Sequence, residues 1–115
     1  MKQYTTHEQT AKLIELGFEK PNGLEFLVRE KDNPNNAQII QRIAYSIGEL
    51  LKMLPKYTDD SDILHIEAYD SIGWDVWYGC YCNGDEVSVE YSAENKELVD
   101  ALYDMIVKLK EEGVI

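Results

Sequence analysis

Basic residues are scarce in this chain of 115 residues, and its second half has almost none: after position 57, three lysines and no arginine stand against fifteen aspartates and glutamates. Residues 1–57 are nearly balanced, with eight Lys/Arg and seven Asp/Glu, so the formal net charge of −11 belongs to the second half. Nucleic acid and anionic membrane are poor partners for such a surface, because both are normally bound by Lys and Arg that neutralise phosphates. Long apolar runs are missing too. Nothing approaches the roughly 18 residues that cross a bilayer, and the start, MKQYTTHEQT, lacks the apolar core of a secretory signal. The expectation is a cytoplasmic protein that binds neither membrane nor nucleic acid directly.

Signatures of chemistry are equally sparse. The sequence holds no Gly-rich phosphate loop, no GxSxG, no HExxH and no zinc spacing, which argues against an enzyme, a cofactor or a metal and leaves no catalytic residue to name. Cysteine appears twice, at Cys80 and Cys82. Alternation along a strand points both to one face, and neighbours on one strand rarely have disulfide geometry, so two buried free thiols are expected. His65 falls on the opposite face and His7 in another element, which leaves the thiols without further metal ligands.

What is present is an ordinary globular composition, 44% hydrophobic and 29% charged, in a length suited to one domain over 1–115. Thr5 and Glu8 have the spacing of a capping box ahead of Ala11, Leu13, Ile14 and Leu16, and Gly17 ends that short helix. In GLEFLVREKDNPNNAQIIQRIAYS, two runs rich in Phe, Val and Ile flank a turn and predict a β-hairpin. Ser46 and Glu49 repeat the capping spacing before Leu50, Leu51 and Leu54, and Pro55 forbids continuation. The run ILHIEAYD alternates as a strand. From Ser92 onward the apolar residues Leu98, Val99, Leu102, Met105, Ile106 and Leu109 keep helical spacing to Gly113. The order α-β-β-α-β-β-β-α predicts an α+β fold, an antiparallel sheet made of a β-hairpin plus a three-stranded meander, with helices packed mainly on one face.

The meander carries the unusual composition. Two turns, DSIG and Asn83-Gly84, predict pairings of Ala68 with Val76, Ile66 with Tyr78, Cys80 with Val87 and Val76 with Tyr91. One face then collects Leu64, Ile66, Ala68, Val76, Tyr78, Cys80, Val87, Val89 and Tyr91 as core under the last helix. The other collects His65, Glu67, Tyr69, Asp75, Trp77, Gly79, Tyr81, Glu86, Ser88 and Glu90, with Trp77 between Glu67 and Glu90 and a shallow notch at Gly79.

Two readings of that second face stand side by side. Another segment of the same chain, such as the first hairpin or helix, covers Trp77; or the face is a contact surface, since aromatics rimmed by charge are the usual composition of interface hot spots. On the second reading the binding residues are Trp77, Tyr69 and Tyr81 as anchors, Glu67, Glu86 and Glu90 as the charged rim, and His65 beside the notch. The partner is a protein of host, phage or self origin. A homodimer would set the acidic face against Arg29, Arg42, Lys52 and Lys56. A carbohydrate or cationic ligand stacked on Trp77 is a weaker reading, because no bordering loop is long enough for a deep pocket. A further alternative is an acidic mimic of nucleic acid that inhibits a DNA-binding or defence enzyme, with Asp85, Glu86, Glu90, Glu94, Glu97, Asp100, Asp104, Glu111 and Glu112 standing in for phosphates.

The stretches TTHEQTAKLIELGFEKP, AYSIGELLKMLPK and ELVDALYDMIVKLKEEGVI resemble a family of small acidic proteins encoded in prophages and other mobile elements of Bacteroides-type gut bacteria. The likeness carries over no functional residue. It implies a mobile-element origin, and with it a protein that binds a host or phage component, inhibitors of defence systems included. The reading that results is a non-enzymatic protein–protein interaction module.

Overall fold

Two capping boxes start the first two helices, one of them a residue later than expected. Helix α1 spans His7–Glu15, with Thr6 as its N-cap and Gln9 closing the box. Thr5 is unavailable for that role, because its buried hydroxyl accepts the Tyr45 N–H at 2.9 Å and lies 2.7 Å from the Thr10 hydroxyl. Helix α2 spans Ile47–Met53 and starts with the expected Ser46–Glu49 box; its C-cap, Leu54, directly precedes Pro55. The structure is a computed structural model that describes residues 1–21, 23–29, 35, 37–58, 62–71, 73–82 and 86–115, and of 24–29, 37–41, 81, 82, 86 and 87 the backbone alone.

Strands β1 (Gly23–Arg29) and β2 (Ala37–Ile43) form the hairpin, and β3 (Ile63–Tyr69), β4 (Gly73–Cys82) and β5 (Glu86–Asn95) form the meander. These are two antiparallel sheets, ordered β1-β2 and β3-β4-β5. With three helices, α3 (Leu98–Glu111) being the last, the architecture is α+β in the expected order. No helix among the described residues is long and apolar enough to cross a membrane.

Helix α3 packs on β4 and β5 and against α2. Leu98, Val99, Ala101, Leu102, Met105, Ile106 and Leu109 are buried along one stripe, where they meet Val76, Tyr78 and Ala93 from the sheet. Each buried Leu, Val, Ile or Met among them stabilises the fold by roughly 1.5–3 kcal/mol relative to exposure. The helix starts later than the sequence predicts. Ser92–Asn95 belong to β5, paired with Trp77–Trp74, so Ser92 is strand and Glu97 is the N-cap.

The register of the meander also departs from expectation. Tyr69 pairs with Gly73, which moves the β3–β4 ladder by two residues and sets Ile66 opposite Val76 and Glu67 opposite Asp75. Gly73 fixes that choice. It has φ +106°, and a Cβ there would sit 2.5 Å from the Asn95 carbonyl and the Lys96 Cα, an approach only glycine permits. Between β4 and β5 a bulge at Tyr78/Gly79 divides the ladder: Tyr78 pairs with Tyr91 and Val76 with Ala93 on one side of it, Gly79 with Val89 and Cys80 with Ser88 on the other. Because one extra residue reverses the alternation, Val89 is 53% exposed rather than core. The Asn83-Gly84 turn lies outside the described residues.

Candidate functional site

The face of the meander away from α3 is set by β4, its central strand. Val76 and Tyr78 point into the core, so Asp75, Trp77 and Gly79 occupy the other side. Trp77, covered on one of the two sequence readings and an anchor on the other, is only 5% exposed. Its directly paired neighbour His65 stacks on it, with ring centroids 3.8 Å apart and planes 9° from parallel. The edge of the indole fills the notch expected at Gly79, where a Cβ would lie 2.7 Å from the Trp77 ring. The indole therefore packs against His65 and the Gly79 backbone of its own sheet face.

The remaining expected residues divide. Tyr69 is 42% exposed, and its hydroxyl donates to Glu67 Oε2 at 2.7 Å, so these two do form a unit. That carboxylate, followed by burial and the nearby acids, pushes the Tyr69 phenol up to about 12. Glu90 is not beside Trp77; at the bulge, its Oε2 accepts from the Thr58 hydroxyl at 3.0 Å, which ties β5 to the α2–β3 connector. The side chains of Tyr81 and Glu86 lie outside the described residues. Arg42, expected as a basic counterpart for self-association, donates instead to the Thr5 carbonyl. Cys80 is disulfide-bonded, which corrects the expectation of a free thiol.

In place of a Trp77-centred patch, the structure builds a row of carboxylates. Glu67 on β3, Asp75 on β4 and Glu94 on β5 stand directly opposite one another across all three strands. Like charges placed so are mutually destabilising. The Asp75 carboxyl, in the middle, is pushed above the usual carboxylate range by burial first, then by Glu94 and by Glu67. Its Oδ1 is buried with no hydrogen-bond partner recorded. Asp75 was legible as a member of this face, but a register off by two residues kept it away from Glu67. Glu94 is absent from the expected face because the sequence reading begins the last helix at Ser92, whereas β5 continues to Asn95 and carries Glu94 opposite Asp75.

The acids of the last helix belong elsewhere. Asp100 accepts from Lys2 Nζ at 2.6 Å and from Gln9 Nε2 at 2.7 Å, while Glu97 accepts the Lys2 backbone N–H at 2.9 Å. Burial alone would raise the Asp100 carboxyl, but these hydrogen bonds and the lysine charge hold it below its usual range. Cavities of about 380, 330 and 270 Å³ lie around Tyr45, around Ile14 and around Tyr4, and the carboxylate row lines none of the three. Among the described residues no group of three or more His, Cys, Asp or Glu is arranged to hold a metal ion.

No family model matches the chain, and no curated protein or solved structure shows significant similarity to it.

Proposed function

We propose that the chain is a non-enzymatic protein–protein interaction module whose contact surface is the carboxylate row Glu67–Asp75–Glu94 with the exposed Tyr69 beside it. The observation that carries this reading is the direct cross-strand register of three acids on the sheet face opposite α3. Such an arrangement costs stability in isolation, and a partner that brings positive charge offsets the cost on binding. The partner is thus a basic protein surface. A host or phage component suits the mobile-element origin that the sequence resemblance implies.

The mimic of nucleic acid is less well supported. Its array requires Glu94, Glu97 and Asp100 to act together, yet Glu94 is on the outer sheet face while Glu97 and Asp100 are engaged by Lys2 on the helix side. The test is affinity capture with the wild type and with a Glu67→Gln/Glu94→Gln variant shown by circular dichroism to be folded. A partner held by the wild type, released by salt and lost by the variant is the expected result. Equal retention by the two proteins removes the row from the function.

A further inference from the structure

The order β3-β4-β5 makes β3 an outer strand. Backbone groups of an antiparallel strand point alternately to one neighbour and then to the other. The Leu64 N–H leaves the sheet to meet the Lys56 carbonyl at 3.1 Å, so Ile66 and Ala68, of the same parity, also direct their N–H and C=O away from β4. The connector reaches no further along this edge. Its contacts are Leu64 with Lys56, Thr58 with Asp62 at 3.0 Å, and the bridge between Tyr57 and Ile63. Among the described residues no bond from another segment to Ile66 or Ala68 is recorded.

Outer strands are usually protected by lysine, proline or a bulge. From Ile63 to Tyr69 the strand has none of these, and its one carboxylate is Glu67, the end of the acidic row. On the other face, α3 packs on β4 and β5, which leaves Ile66 36% exposed and Ala68 exposed beside it. An added strand would therefore meet two different environments in alternation: apolar next to Ile66 and Ala68, acidic next to Glu67.

From this we infer that the edge of β3 at Ile66–Ala68 binds an extended segment of a partner protein in which basic and apolar residues alternate. The inference rests on the function proposed above and specifies the mode of contact. The segment joins the sheet as a fourth meander strand, with a lysine or arginine opposite Glu67 extending the row by a positive member and apolar side chains lying against Ile66 and Ala68. A second copy of this chain fits worse. Pairing β3 with itself about Ile66 sets Ala68 of the copy at Leu64, whose N–H Lys56 already takes. Pairing about Ala68 brings a second acidic row alongside the first, on chains that each carry −11.

The test uses the full chain, labelled with ¹⁵N, and four synthetic decapeptides: alternating Lys/Val, the same composition in two blocks, alternating Glu/Val, and alternating Lys/Val interrupted by a central proline. The alternating Lys/Val peptide is expected to slow amide exchange at Ile66 and Ala68 and to bind about tenfold more tightly than the block isomer. The Glu/Val and proline peptides are expected not to bind. Glu67→Gln, a change at a partly exposed position, should weaken the Lys/Val complex by about fivefold. Equal binding of the block isomer would reduce the effect to charge attraction and overturn the proposal. So would protection at other strands, no binding by any peptide, or protection of Ile66 that appears with protein concentration alone, the mark of a second copy. In each of these cases the broader reading survives if the Glu67→Gln/Glu94→Gln variant still loses its captured partner, and falls if it does not.

Discussion

Replacing Asp75 by asparagine should make the protein more stable at neutral pH, an unusual result for a change at a partly buried position. Asp75 faces Glu67 on one side and Glu94 on the other, and its Oδ1 is buried without a recorded partner. A like-charge cross-strand pair costs up to about 1 kcal/mol, so relieving both should yield a gain of about 1 kcal/mol after screening by solvent. In a domain of this size that corresponds to a rise in Tm of about 4 °C. The pH dependence fixes the cause. The folded-state pKa of Asp75 is raised, so the fold favours the protonated acid, and the wild type loses stability as pH climbs from about 3.9, the unfolded value, to the raised folded value. Above that window the deficit is complete. Below about pH 3 both states hold a neutral acid and the advantage of asparagine disappears. Urea unfolding followed by tryptophan fluorescence, at low and neutral pH and again in 1 M salt, where the Debye length falls to about 3 Å, measures all three features. A variant that is less stable at neutral pH, or whose gain is independent of pH and salt, would refute the account of the row.

Trp77→Ala should cost about 3–5 kcal/mol in the same urea assay, because the indole is buried against His65 and the Gly79 notch. Gly79→Ala should lower Tm by several degrees, since the new methyl meets the Ser88 carbonyl and the Trp77 ring and neither can move away cheaply; an unchanged Tm would mean that the indole does not occupy the notch. Ultraviolet titration should find two tyrosines ionising at about 12, Tyr69 held there by Glu67 and Tyr78 by burial, and Glu67→Gln should shift one of them downward while Tyr69→Phe leaves only the other. Ser46→Ala should cost about 1 kcal/mol by removing the cap of α2, whereas Thr5→Ala should act on the buried Tyr45 and Thr10 contacts instead of on a helix end.

Much of this architecture was legible because it depends on local rules. The Ser46–Glu49 box, the stop at Gly17, the block at Pro55 and the stripe from Leu98 to Leu109 each follow from the chemistry of a few adjacent residues. The site was less legible because it depends on register. A β3–β4 ladder displaced by two residues keeps every side chain on its expected face, so the face could be read while the partners of Glu67 could not. Between β4 and β5 an unforeseen bulge leaves Glu90 as the extra residue, and Glu94 joins the row because β5 continues to Asn95 where the sequence predicts a helix from Ser92. For Trp77 the sequence left two readings open, buried or exposed, for a different reason. Strand alternation reports which side a ring leaves from, not whether it then lies down along the sheet onto a glycine and a stacked imidazole.

The bulge at Tyr78/Gly79 has a consequence for how β5 tolerates change. On one side of it Tyr91 and Ala93 share the core side with Val76 and Tyr78, while on the other Val89 is paired with Gly79 and faces solvent. The two ends of one strand thus follow opposite rules, so a charge should be accepted at Val89 and rejected at Ala93 although both are odd-numbered neighbours. A one-residue deletion at Glu90 would remove the bulge and leave a single alternation along the strand, with Val89 still opposite Gly79 and Tyr91 still opposite Tyr78. A deletion of Tyr91 instead would bring the Glu90 carboxylate opposite Tyr78 on the core side, so two adjacent positions of one strand differ sharply in how they tolerate a change of length.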